Sequence, residues 1–225
     1  NISGFLNMLI SARDSNIKNF IYASSSSAYG DHEALPKVED VIGKPKNPYS
    51  ITKYVNELYA NTFSEHYSFK SIGLRYFNVF GPRQRENGDY AAVIPKWIKN
   101  ILNNQDIEIY GDGETSRDFC YVDNAVQANI IAALSENEIA KGQVYNISVG
   151  NQTSLNKLLS MIHKNIENSI GKIIKIKPIY KDFRPGDIRH SRADISKAKN
   201  LLNYFPSHNV EQGIKETISW YIDKK

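Results

Sequence analysis

The chain has 225 residues, a formal net charge of +4, 41% hydrophobic and 23% charged residues, a composition that fits a globular protein able to bury a core and two lobes. No run approaches ~20 apolar residues, which excludes a membrane-spanning helix, and Asn1 to Ile10 show neither the basic start nor the small-residue cleavage site of a secretory leader. A single Cys120 has no partner for an internal disulfide, so a reducing compartment, the cytoplasm, is expected.

In chain order, Phe5, Leu6, Leu9 and Ile10 mark a helix over 2–14, and Phe20-Ile21-Tyr22-Ala23 a strand over 19–24. A Ser/Pro-rich connection runs to Pro48. Asn47 and Pro48 suit the cap and first position of a helix over 49–66, with Ile51, Val55, Leu58 and Thr62/Phe63 recurring on one side. Ser71 to Phe77 reads as the next strand. A polar loop through Gly81-Pro82-Arg83-Gln84-Arg85 and Asn87-Gly88-Asp89 leads to a helix from Ala91 to Asn103, then a short strand at Ile107 to Tyr110. Further on come a helix ending near Ser135, a strand at Val144 to Ile147, a helix capped by Thr153 and running to Ile166, and a strand from Ile173 to Ile179. The turn Arg184-Pro185-Gly186-Asp187 and helices near 194–203 and 210–223 complete the chain. Strands alternating with helices imply a parallel sheet, with ligands collecting beyond the carboxyl ends of its strands. Ser24 to Ser27 and Asn78 fall there.

Tyr49 and Lys53 stand four residues apart on the second helix and therefore share a face. A phenol, with an ordinary pKa of ~10, is a poor base at neutral pH, but a neighbouring ammonium favours the phenolate. Such a pair can take a proton from a sugar hydroxyl. The spacing alone is weak, since Tyr221 and Lys225 repeat it, but only the first copy follows a strand that ends in hydroxyl side chains and Tyr29-Gly30. Lysine and arginine are scattered and form no patch for nucleic acid. The five histidines show no ligand spacing, so no metal site is expected.

Taken in order, Tyr49-Ser50-Ile51-Thr52-Lys53, the hydroxyl at Ser25 four places before Tyr29, and Arg75-Tyr76-Phe77-Asn78-Val79-Phe80-Gly81-Pro82 resemble the extended short-chain dehydrogenase/reductase family, and within it the NAD-dependent nucleotide-sugar 4-epimerases. The likeness runs essentially end to end. Tyr-Gly-Asp-His at 29–32, Gly-Asp-Gly-Glu-Thr-Ser-Arg-Asp-Phe-Cys-Tyr at 111–121 and Arg-His-Ser at 189–191 look like the branch acting on UDP-N-acetylglucosamine or its uronic acid. Two departures stand out. The family's glycine-rich turn for the dinucleotide pyrophosphate is absent, since Gly4 and Gly30 form no such pattern, and so is the acidic residue that follows it for the ribose. A chain lacking roughly the first hundred residues, about three strand-helix units, is therefore expected, one without NAD binding or activity by itself.

The resemblance implies a Rossmann-like α/β parallel sheet, 1–78 with 117–150, and a smaller α/β nucleotide-sugar domain, 79–116 with 151–225. It assigns catalysis to Ser25, Ser26, Tyr49 and Lys53, and contacts with NAD to Tyr49, Lys53 and Tyr76. Ser27, Asn78, Tyr110, Arg117, Arg184, Asp187 and Ser191 would hold the UDP-sugar, with Tyr110 stacked on uracil, Asp187 accepting from ribose and Ser191 leaving room for an N-acetyl group. Related dehydratases carry a carboxylate where Ser26 and Ser27 stand here, which favours simple epimerisation through a 4-keto sugar. UDP-glucuronate and UDP-glucose 4-epimerases, and a non-catalytic binding module of the same fold, are the alternatives. The helices at 2–14 and 49–66 resemble the pair through which the family forms homodimers by a four-helix bundle.

Overall fold

A computed structural model describes residues 1–86, 92–184 and 186–223, so Asn87, Gly88, Asp89, Ala91, Pro185 and Lys225, which figure in the sequence reading, lie outside the described residues. The chain runs α1 (Ile2–Asp14), β1 (Phe20–Ser25), a single 3₁₀ turn (Ser26–Tyr29), α2 (Pro48–Tyr67), β2 (Ser71–Tyr76), β3 (Val79–Phe80), α3 (Val93–Leu102) and β4 (Ile107–Tyr110). It continues through β5 (Ser116–Arg117), β6 (Cys120–Tyr121), α4 (Val122–Leu134), β7 (Gln143–Ile147), β8 (Thr153–Ser154), α5 (Leu155–Ile170), β9 (Pro178–Lys181), α6 (Ser196–Leu202) and α7 (Val210–Asp223). No described helix is long and apolar enough to cross a membrane.

A parallel sheet in the order β1-β2-β7 forms the centre, with Ser24 level with Arg75 and Tyr76 level with Ile147. Its strands are paired through crossover helices, as the alternation of strand and helix in the sequence requires. On one face Ile72, Leu74, Tyr145 and Ile147 pack with Ala128 and Ala132 of α4 and with Tyr204. A second core gathers Trp97, Ile98 and Ile101 of α3, Ile107 and Ile109 of β4, Leu158 and Ile162 of α5, and Ile214 and Ile218 of α7.

Three expectations shift in the structure. The cap of α5 is Ser154, whose side chain accepts from the Lys157 N–H, while Thr153 pairs with Arg117 between β8 and β5. The strand expected at 173–179 forms only at Pro178–Lys181, because pairing with β4 begins at Ile107 opposite Pro178. Ile174 and Ile176 pack against the second core instead, and Ile173 is exposed. On α2 the expected apolar stripe is only partly buried: Phe63 is buried with Ser50, Asn56, Glu57 and Ala60, while Ile51 and Leu58 are 48% and 49% exposed.

Candidate active site

The start of α2 is fixed locally. Asn47 and Ser50 form a reciprocal capping box, each side chain bonded to the other's backbone N–H, and Pro48 occupies the first turn where no N–H is needed. Position relative to the sheet comes from a buried polar cluster. Glu57 of α2 receives both the Nε and an NH2 of Arg75, at 2.8 and 2.7 Å, and the hydroxyl of Ser24. Ser24 and Arg75 are register partners on β1 and β2, so one carboxylate ties the helix to two strands at once. Arg75 also lies over the ring of Tyr29, 4.7 Å from its centroid, and donates to the Glu39 carbonyl. The partnered carboxylate holds the guanidinium pKa above its ordinary value although burial alone would lower it.

This geometry sets Tyr49 and Lys53 beside the carboxyl end of β1. Lys53 Nζ donates to the Ala23 carbonyl at 2.8 Å and lies 5.8 Å from the centre of the Tyr49 ring. Partial burial of the ammonium lowers its pKa. An ammonium has three donors, so two remain beyond the bond to Ala23. Tyr49 is 50% exposed. Ser25 closes β1 in extended backbone and its Oγ accepts from the Ser27 N–H at 3.2 Å, which leaves the hydroxyl proton available to an outside acceptor. Gly30 ends the following turn at φ 57°, and a Cβ there would strike the Lys44 carbonyl, so the connection to Asn47 folds back only over glycine.

Two cavities adjoin this end of the sheet. The larger, about 340 Å³, has an aromatic and aliphatic wall from Phe80, Trp97, Phe119 and Ile109 and polar residues Asn78, Tyr110, Arg117, Arg184 and Asp187. The smaller, about 250 Å³, is bordered by Ser26, Ser27, Lys46, Asn47, Asn78, Arg117, Asp187 and Ser191. Asn78, Arg117 and Asp187 line both. Every residue assigned to the nucleotide sugar from the sequence thus lines one or both cavities, and Asn47, two residues before Tyr49, stands on the smaller one. Ser25, Tyr49 and Lys53 do not themselves line either cavity.

Tyr76 is level with Ser25 on the neighbouring strand and lines neither cavity. It packs with the Ile72 and Leu74 side of the sheet, and its hydroxyl accepts from Asn129 of α4 at 2.7 Å. Burial raises its pKa.

The polar side chains of the larger cavity are already engaged with one another. Arg117 donates to Asp187 at 2.7 Å and to the carbonyls of Ser116 and Arg189. Desolvation lowers the pKa of Arg117 against the opposing pull of Asp187, but a guanidinium stays charged. Arg184 stacks on Tyr110 with its guanidinium carbon 3.9 Å from the ring centre. The Asn78 amide donates to the Asp118 carbonyl from a backbone at φ 32°. Any anion entering here would compete with Asp187 for Arg117, and any flat ring with Arg184 for the Tyr110 face. The sequence reading gave no site role to Trp97, Phe80, Phe119 or Lys46, which also line these cavities; no local signal distinguishes them.

The described residues suit a dinucleotide at the carboxyl end of β1. The phenol of Tyr49 is half exposed, and two ammonium donors of Lys53 and the proton of Ser25 are free for groups placed there.

Comparison with known proteins identifies the family. Residues 1–148 match the NAD dependent epimerase/dehydratase family. A UDP-glucuronate 4-epimerase of Thermodesulfobacterium geofontis is 36% identical over 98% of this chain and 64% of its own length. Among solved structures, UDP-N-acetylglucosamine 4-epimerase of Methanobrevibacter ruminantium, in complex with UDP-N-acetylmuramic acid, superposes with a TM-score of 0.91 at 41% identity, covering 100% of this chain and 69% of that one. UDP-glucuronic acid 4-epimerase of Bacillus cereus, in complex with UDP-glucuronic acid and NAD, gives 0.84 at 28% identity over 98% and 67%. The chain spans about two thirds of the length of these relatives. With its parallel sheet, its Tyr49/Lys53 pair and this sequence match, the chain belongs to the NAD dependent epimerase/dehydratase family.

Proposed function

We propose that the protein interconverts the C4 epimers of a UDP-sugar, UDP-N-acetylglucosamine and UDP-N-acetylgalactosamine or their uronic acid forms, with NAD as the recycled cofactor. The observation that carries this reading is the placement of Ser25, Tyr49 and Lys53 at the carboxyl end of β1, next to adjoining cavities lined by Asn78, Arg117, Arg184, Asp187 and Ser191. The 41% identity to a UDP-N-acetylglucosamine 4-epimerase supports the sugar. UDP-glucuronate is the second reading, favoured by the relatives acting on that sugar.

Bound NAD supplies the hydride acceptor and donor that an unactivated C4–H bond needs. The chain's own residues handle protons and position. Tyr49 takes the O4 proton, Lys53 places a positive charge beside the developing phenolate, and Ser25 donates to the same sugar oxygen. Ser26 and Ser27 border the smaller cavity with hydroxyls where related dehydratases carry a carboxylate, and the Asp187 carboxylate on the same cavity is bonded to Arg117, which favours epimerisation over loss of water. Arg117 and Arg184 hold the diphosphate with forked donors, Asn78 adds its amide, and Asp187, released from Arg117, accepts from ribose. Anchoring there leaves the 4-keto hexose free to turn over in the smaller cavity. In this division 1–78 and 117–150 carry the cofactor side and 79–116 and 151–225 the nucleotide sugar.

The test is incubation of the full protein with NAD and, separately, UDP-N-acetylglucosamine, UDP-glucuronate and UDP-glucose, followed by NMR of the C4 proton. Epimer without net NADH is the expected result; no epimer from any of the three by folded protein carrying NAD would refute the reading. A homodimer through α1 and α2 belongs to the same proposal, supported by the exposed apolar side chains Met8, Ile51 and Leu58. Ile51→Lys with Leu58→Lys is expected to give a monomer by light scattering.

A further inference from the structure

Where β6 meets α4, the chain brings together three side chains that none of the preceding chemistry uses. Asp123, His208 and Glu216 each offer one ligand atom, and these lie within 4.8 Å of one another. They come from the first turn of α4, the loop after α6 and α7, and none lines either cavity. His208 Nε2 stands 3.1 Å from a Glu216 oxygen. Among the described residues no lysine or arginine pairs with either carboxylate, and the recorded basic partner of Glu216 is His208 itself.

The trio also rests on a built frame. The His208 N–H donates to the Asn124 side-chain oxygen at 3.0 Å and the His208 carbonyl accepts from the Asn124 amide at 2.8 Å, while Asn124 itself is fully buried. Ser207 Oγ lies 2.8 Å from His208 Nδ1, which leaves Nε2 as the outward nitrogen. The imidazole packs on the Tyr121 ring at 4.9 Å between centres, and the Tyr121 hydroxyl donates to the second oxygen of Glu216. A hydrogen-bonded Nδ1 and an oriented carboxylate are the supports that fix metal ligands.

We propose that Asp123, His208 and Glu216 form a site for one divalent transition cation, best matched by zinc, that clamps α4 to α7. One imidazole and two carboxylates suit zinc, whereas magnesium and calcium prefer oxygen ligands alone. Zinc–ligand bonds of ~2.0–2.2 Å hold neighbouring ligand atoms roughly 3.3 Å apart, so His208 and Glu216 already stand at ligand spacing and the exposed Asp123 closes in by a rotamer change. Zinc binding the folded chain here stabilises it by mass action.

The test is calorimetric titration of metal-stripped protein with ZnCl₂ and, in parallel, MgCl₂, with melting curves at each step. Expected are one equivalent of zinc, a rise in Tm with zinc only, and at least ~10-fold weaker zinc binding in Asp123→Asn and His208→Gln. Asp123→Asn alters an exposed side chain, so its metal-free Tm and circular dichroism should match the parent protein. Absence of stoichiometric zinc binding, equal affinity for magnesium, or undiminished zinc binding by Asp123→Asn would each overturn the proposal.

Discussion

Tyr49 and Lys53 occupy adjacent turns of one face, and neither is fully engaged by the protein: the phenol is half exposed and the ammonium makes one bond, to Ala23. Tyr49→Phe keeps the ring beside Lys53 and removes only the hydroxyl proposed to exchange the proton. Turnover is expected to fall by at least ~10²-fold with UDP affinity little changed, read from kcat and a UDP titration. Ser191 lines the smaller cavity, held there by its N–H to the Ser116 carbonyl at 3.1 Å. Ser191→Tyr fills that space by shape alone, so kcat/KM should drop for the N-acetylated sugar and stay level or rise for the plain hexose. Equal changes on both sugars would remove Ser191 from the specificity argument. At this scale the motif residues were legible because a helix cap and an i, i+4 pair are local. The pairing of Arg117 with Asp187, seventy residues on, was not.

The decisive contact between elements is the buried carboxylate of Glu57 between Ser24 and Arg75. It holds α2 with Ser50, Asn56 and Glu57 inward beside Ala60 and Phe63 and leaves Ile51 and Leu58 outward, which the hydrophobic stripe alone does not suggest. Burying an ion pair is costly, but breaking a buried one costs more, because a charge is left without its partner. Arg75→Met is expected to lower unfolding free energy by ~3–5 kcal/mol, measured with urea. The double variant Arg75→Met with Glu57→Met should be less destabilised than the sum of the singles, since it strands neither charge. Additive effects would show that the pair does not act as a unit. Strand β9 teaches the same lesson: Ile173, Ile174 and Ile176 carry β propensity, but only residues opposite β4 pair.

For the molecule as a whole, Asp118 is the junction. Fully buried, it accepts from the Ser148 hydroxyl, the Val149 N–H after β7 and the Ala193 N–H before α6. Burial pushes its pKa up from 3.8 to about 6, against those hydrogen bonds. The folded state therefore binds its proton more tightly than the unfolded state does. The contribution of this group is fully present below about pH 4 and is lost as pH rises through about 6. Over about two pH units at ~1.4 kcal/mol each, the loss amounts to roughly 3 kcal/mol. Asp118→Asn, uncharged throughout, should give a flatter stability profile between pH 4 and 7 in urea unfolding; an unchanged slope would mean that another group sets it.

The sequence by itself determined the alternation of helix and strand, the capped start of α2, the shared face of Tyr49 and Lys53 and the family, because periodicity, caps and contiguous motifs are properties of neighbouring residues. Only the tertiary structure decided which face of α2 is buried, which strand residues find a partner, that Arg117 and Asp187 meet, and that Asp123, His208 and Glu216 converge. Those outcomes depend on groups far apart along the chain. Their proximity is set by how the sheet and the second core pack, and no spacing within the sequence encodes that distance.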